Sequence, residues 1–280
     1  MNSLNLIDER LSTIRYKSVI FPDGQPHIKI DMSSVSSLDK NQVLYIYTRI
    51  SSPADLLLLL FAKNALDYLE FNKVELYISY LMAARMDRVM LDGEPFSLKV
   101  VANLLNSANF QKIKIFDPHS EVSTALIDKS YSITNCRFVK DVMEEYFNGN
   151  GKERFCIVSP DAGALKKIHK LASELAIKDV VECMKERDVK TGALISFKTT
   201  VSDLSGVTCF IIDDICDGGG TFAGTAQMLK EKEAAKVILI VSHGIFSKGT
   251  VIANVDEAYC SNSFKNVEGV NCYDVMKYLQ

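Results

Sequence analysis

The chain has 280 residues, 48% hydrophobic and 24% charged, a soluble globular composition long enough for a sizeable core and about two domains of ordinary size. A net charge of −3 and a pI near 5.9 give no general attraction to nucleic acid or to an acidic membrane, so any anion has to be bound locally. Seven cysteines without CxxC spacing, and no leader-like segment ahead of them, lead us to expect reduced thiols in a cytoplasm.

In chain order, Phe21-Pro22-Asp23-Gly24 reads on its own as a tight turn. Strand signals follow at Val43–Thr48, Val74–Ser79 and Ile113–Phe116, separated by helical stretches near Pro53–Leu69 and Pro95–Ala108. The apolar run Leu56–Phe61 is bracketed by Asp55 and Lys63; it is far too short for a bilayer and reads as a buried helix. Glycine and polar residues cluster at Asn148–Lys152, which reads as the linker between domains 1–148 and 149–280. The alternation then restarts with strands at Phe155–Val158, Asp179–Cys183, Ala193–Lys198, Thr208–Ile212 and Lys236–Ser242. Helices are expected over Asp161–Leu175 and Phe222–Lys230, which completes an α/β pattern.

The most informative segment is Cys209–Thr221, CFIIDDICDGGGT. Its apolar run suits a buried parallel strand, and Asp213 and Asp214 at the carboxyl end can accept hydrogen bonds from vicinal sugar hydroxyls. Gly218, Gly219 and Gly220 let backbone N–H groups turn inward, Thr221 is placed to cap the next helix, and that helix's dipole favours a phosphate. Acids for hydroxyls beside amides for phosphate describe a sugar-phosphate cradle. The plain alternative is a glycine-rich turn with solvated acids. Neither GxGxxG nor GxxxxGK[ST] is present. Taken alone, His119 reads as a structural hydrogen-bonder, and the charged Lys185-Glu186-Arg187-Asp188 as a solvated loop just past a strand.

The cradle resembles the phosphoribosyl pyrophosphate motif of type I phosphoribosyltransferases and of ribose-phosphate pyrophosphokinases. FPDGQ, AARMDR, GEPFSLKVVANLL, FDPHS, VSPDAG, MKERD, DDICDGGGT and SHGIFS follow the pyrophosphokinase order at similar spacing, from Phe21 almost to Gly249. A phosphoribosyltransferase would share only the cradle and one domain.

The resemblance implies two tandem phosphoribosyltransferase-like (type I) domains, each a mostly parallel sheet flanked by helices. The implied reaction moves the pyrophosphoryl group of ATP to the anomeric hydroxyl of ribose 5-phosphate, with Mg²⁺ as cofactor. Lys185 and Arg187 match the catalytic loop, and His119 and Asp161 match metal-associated positions. Phe21, Asp23, Gly24, Gln25, Arg85 and Met86 match the ATP segments. Asp213, Asp214, Asp217, Gly218, Gly219, Gly220 and Thr221, with Arg187, match the ribose 5-phosphate site. The ATP segments fall on two subunits in the family, so a homo-oligomer with a shared ATP site is implied, without nucleic acid or membrane partners.

The chain departs from the family pattern at Gln25 for Glu, Met86 for Gln, Glu186 for Arg and Gly218 for Thr. Asp217 is read either as acting near the anomeric hydroxyl or as holding the loop, and His243 as architectural. Two other readings are a type I phosphoribosyltransferase and a non-catalytic, pyrophosphokinase-like regulatory subunit.

Overall fold

The computed structural model describes residues 2–151, 153–187, 194–199 and 201–279. Two compact units form: Met1–Thr134 together with Met276–Gln280, and Asn135–Val275.

The first unit runs β1 (Asn2–Asn5), β2 (Tyr16–Ile20), β3 (Pro26–Ile30), β4 (Leu44–Ile50), α1 (Pro53–Tyr68), β5 (Val74–Leu81), α2 (Ser97–Ser107), β6 (Lys112–Phe116), α3 (Val122–Leu126) and β7 (Ser130–Ile133). Strands β1-β4-β5-β6-β7 form a parallel sheet in that order, while β2 and β3 pair as a separate antiparallel hairpin. Helix α1 starts where the sequence supplies every start signal. Pro53 fills the first position, Ser52 Oγ accepts from Asp55 N at 3.2 Å, and Asp55 Oδ2 accepts from Ser52 N at 2.8 Å. The run 56–61 lies in this helix but is not buried throughout. Leu56 and Leu59 face the core, whereas Leu57 is 42% and Phe61 36% exposed, because successive helical positions are about 100° apart.

The second unit runs α4 (Cys136–Asn150), β8 (Phe155–Ser159), α5 (Leu165–Glu174), β9 (Val180–Arg187), β10 (Leu194–Thr199), β11 (Thr208–Cys216), α6 (Gly220–Glu231), β12 (Lys236–Gly244), β13 (Glu257–Ser261) and β14 (Asn271–Tyr273). Its sheet order is β10-β9-β8-β11-β12-β13-β14, parallel throughout except for antiparallel β10 on β9. Each unit is thus an α/β layer structure with a mostly parallel sheet. In the second unit the central strands β8, β11 and β12 carry continuous apolar runs, as burial on both faces requires.

The compact units divide at 134/135, not at Asn148–Lys152. Asn148–Asn150 form the last turn of α4, and Gly151 ends it with φ +79° and its N–H on Phe147 O at 2.8 Å. Glycine and asparagine mark helix ends as readily as linkers, which is why composition pointed there. Among the described residues no helix is long and apolar enough to cross a membrane.

Candidate functional site

Strand β11 lies between β8 and β12. Its pairing with β8 ends at Ile211↔Val158, while pairing with β12 continues to Cys216↔Gly244. Asp213 and Asp214 therefore stand at the carboxyl end of a central strand, beyond its β8 neighbour, where open α/β sheets bind ligands. Asp213 is half-buried and Asp214 is buried, and Asp214 N donates to Asp213 Oδ1 at 2.9 Å. Burial, then the negative charge of Asp214, pushes the Asp213 carboxyl well above the usual carboxylate range. Lys167, on the first turn of α5 with its ammonium buried, pulls it partly back.

The glycines follow. Gly219 is the N-cap of α6 with φ +74°, and no side chain caps the helix. Its left-handed backbone starts the helix at Gly220, so Thr221 lies inside the first turn and does not cap it. The first-turn N–H groups point out of the helix end, as phosphate binding requires.

A loop after β12 holds this turn. Ile245 N and Phe246 N both donate to Cys216 O, at 2.9 and 3.1 Å, and Ser247 N donates to Asp217 O at 3.1 Å. Ser247 Oγ donates to Asp217 Oδ1 at 2.6 Å, so Asp217 holds the loop. His243 is 4% exposed, with Nδ1 2.7 Å from Ser263 Oγ, an architectural position.

Asp161 is half-buried after β8. Its Oδ1 accepts from Gly163 N at 2.9 Å and Ala164 N at 3.1 Å, and this turn delays the helix to Leu165. Lys185 and Arg187 do not lie in a loop: their backbone forms the end of β9, registered with Phe197 and Leu194 of β10. A loop reading came from the charges; an antiparallel partner extends the strand. The side chains of residues 185–187, and the whole of Asp188, lie outside the described residues.

The remaining site residues belong to the first unit. Phe21–Gln25 form the turn of the β2–β3 hairpin: Gly24 N donates to Phe21 O at 2.8 Å, Phe21 N to Gln25 O at 2.9 Å, and Gln25 N to Asp23 Oδ1 at 3.0 Å. Gly24 has φ +87°, which this turn requires. Phe21 is 43% exposed, its ring 5.6 Å from that of His27. Arg85 and Met86 are exposed on the turn after β5, at the carboxyl end of that strand. His119 is exposed on the loop after β6.

Sequence reasoning passed over Lys167, Ser247 and Lys248. Lys167 was visible as the second lysine of Lys166-Lys167, six residues past Asp161, and Ser247 as the end of SHGIFS. Nothing in the sequence marked Lys248.

A family model described as phosphoribosyl transferase domain matches residues 132–274. The ribose-phosphate pyrophosphokinase of Sulfolobus acidocaldarius is 30% identical over 250 residues, covering 86% of this chain and 82% of that protein. The ribose-phosphate pyrophosphokinase of Sulfurisphaera tokodaii is 30% identical over 253 residues, with 86% and 82% covered. That of Hyphomonas neptunium is 28% identical over 256 residues, with 90% and 78% covered. The phosphoribosylpyrophosphate synthetase of Mycobacterium smegmatis has the same fold, with a TM-score of 0.78 at 19% identity over 99% of this chain and 96% of that one.

Proposed function

The chain belongs to the ribose-phosphate pyrophosphokinase family, and from that premise we propose that it transfers the pyrophosphoryl group of ATP to ribose 5-phosphate, giving phosphoribosyl pyrophosphate and AMP. The observation that carries the reading is the cradle. Two adjacent carboxylates stand at the open end of β11, followed by a helix that starts on a left-handed glycine with no side-chain cap.

In this assignment Asp213 and Asp214 accept hydrogen bonds from the ribose hydroxyls, and the N–H groups of Gly219 to Thr221 hold the 5-phosphate. The anomeric oxygen, fixed by those contacts, attacks the β-phosphorus and AMP leaves. Alignment and charge neutralisation supply most of the rate in such a transfer. Lys185 and Arg187 are assigned to the charge of the moving pyrophosphoryl group, with Arg187 also reaching ribose 5-phosphate. Phe21, Asp23, Gly24, Gln25, Arg85 and Met86 are assigned to the nucleotide.

For Mg²⁺ the donor set fits an ion that travels with ATP. Among the described residues no three acidic, cysteine or histidine side chains converge, and Mg²⁺ near nucleotides takes most of its oxygens from phosphate and water. Asp161 would offer a carboxylate oxygen and His119 an outer contact through water; the ion would supply neutralisation of phosphate charge. The hairpin tip supports a second copy as partner: Ile20 is 71% and Phe21 43% exposed at the segment assigned to the nucleotide. We place the reaction in the cytoplasm, between two or more copies of the chain.

The test is AMP formation from ATP, Mg²⁺ and ribose 5-phosphate, with Lys185→Ala alongside. AMP that requires the sugar phosphate and falls by orders of magnitude in the variant supports the assignment. Sugar-phosphate binding without AMP from any nucleotide would overturn it.

A further inference from the structure

The cradle carries three acids, Asp213, Asp214 and Asp217, within five residues, and a phosphate dianion is to sit among them. Backbone amides and a helix dipole offset part of that repulsion. Lys167 acts on Asp213, and a second cationic side chain lies beside the glycine turn itself. A β-carbon built on Gly218 would meet the stem of Lys248, with Cδ at 3.5 Å, Cε at 3.6 Å and Cγ at 3.8 Å. The lysine stem therefore runs beside the glycine turn, at the distance a side chain on residue 218 would touch.

The stem's position is built by the backbone on both sides. Ser247 is tied to Asp217 twice, by its N–H and its hydroxyl, and Gly249 N donates to Phe246 O at 3.1 Å with Gly249 at φ +98°. The loop that carries Lys248 is thus fastened to the turn that starts α6. Residue 218 has no side chain, so the stem lies beside bare backbone; a β-carbon there would be in ordinary van der Waals contact with it.

We propose that Lys248, whose stem runs beside the bare backbone of Gly218, is a binding residue for the 5-phosphate of the sugar substrate, its ammonium pairing with the phosphate held at the amino end of α6. This rests on the proposed cradle and adds a side chain to it. A flexible ammonium is suited to a phosphate as a point charge, and an ion–phosphate hydrogen bond is among the stronger polar contacts. The competing role is neutralisation of Asp217 alone. That role would stabilise the loop without distinguishing a phosphorylated sugar from a plain one.

The experiment titrates the full chain, and its Lys248→Met and Lys248→Arg variants, with ribose 5-phosphate, ribose and inorganic phosphate by calorimetry, and measures Tm and the split between KM and kcat. Expected for Lys248→Met is a rise of about tenfold in Kd and KM for ribose 5-phosphate, with kcat and Tm little changed. Its affinity should also depend less steeply on salt. Lys248→Arg should restore most of the affinity. Equal affinity of Lys248→Met and the parent for ribose 5-phosphate would overturn the proposal, as would a loss that tracks a fall in Tm and is not relieved by arginine. Failure of the parent chain itself to bind ribose 5-phosphate would instead overturn the cradle assignment, so the two failures are separable.

Discussion

Three glycines in a row precede α6, and the structure separates them sharply. Gly219 holds φ +74°, a conformation that costs an L-residue with a side chain ~1–2 kcal/mol. A methyl on it would also sit 3.2 Å from Ile252 Cγ1 and 3.4 Å from Cδ1, so that buried side chain has to give by a few tenths of an ångström. Together these make Gly219→Ala about 1–3 kcal/mol destabilising. The melting temperature should then fall by roughly 3–10 °C for a unit of this size.

Gly218 has no positive φ, and the nearest atoms to its added methyl belong to the Lys248 stem, at ordinary contact distance; a methyl on Gly220 would have nothing within 4 Å. Alanine at either is expected within about 0.5 kcal/mol of the parent, or slightly stabilising at Gly220 where the helix has begun. The assay is thermal unfolding of the three variants, followed by ribose 5-phosphate titration. Because Gly219 aims the first-turn amides, its variant should also lose about tenfold in affinity, the worth of one misdirected donor. If all three alanine variants melt and bind alike, the left-handed start of α6 is not what shapes the cradle.

At Gly244 a methyl would lie 2.5 Å from Phe246 Cε2 and 3.0 Å from Cys260 Sγ; Gly244→Ala should cost about 1–3 kcal/mol in urea unfolding. Ser247→Ala removes the 2.6 Å donor to Asp217, worth about 1 kcal/mol, and should weaken ribose 5-phosphate roughly fivefold in a titration while leaving the fold intact. The raised Asp213 carboxyl means the folded state binds that proton more tightly than the unfolded chain. The resulting stability is present below the ordinary value of 3.8 and is lost as pH rises through the raised one. Asp213→Asn should therefore raise Tm at pH 7.5, with the gain shrinking toward pH 4, while ribose 5-phosphate binding weakens. A gain that is flat with pH would show that charge is not its source.

The strands that carry the cradle were legible because burial on both faces demands unbroken apolar runs, and 208–212 and 236–242 have them. Helix α1 was legible because Ser52, Pro53 and Asp55 announce its start. Helix α4 left no such announcement: no side chain caps it, and Asn148–Gly151 at its end looked like a linker. The hairpin β2–β3 was hidden because only its turn is distinctive; its strands alternate polar and apolar residues too briefly to stand out. Within the cradle the residue types were readable but their division of labour was not. Asp217 accepts from Ser247 of a distant loop, Thr221 sits past the cap position, and Lys167 and Lys248 arrive from segments about 50 residues upstream and 30 downstream of the glycines. Long-range approach of a lone lysine has no local pattern to betray it.

Of the departures from the family pattern, those at Gln25 and Met86 fall where the turn is held by backbone bonds. Gln25 serves its turn through its backbone, its N–H on Asp23 Oδ1 and its carbonyl taking the Phe21 N–H, so a glutamate would leave the same turn with one more charge. Met86 is 41% exposed, and its backbone makes the bonds: its N–H donates to Ala83 O and its carbonyl accepts from Leu98 N. Glu186 is registered with Ser196 in a backbone pairing that any residue can make. Gly218 leaves bare backbone beside the Lys248 stem. A chain drifting toward silence accumulates changes at random among exposed and buried, backbone and side-chain roles. Here Gln25 and Met86 sit in exposed turns bonded through their backbones, and Gly218 precedes the left-handed Gly219 without altering it, so the hairpin turn and the start of α6 are kept intact. Under the proposed assignment, Gln25→Glu and Met86→Gln should therefore change the affinity for nucleotide and leave Tm unmoved.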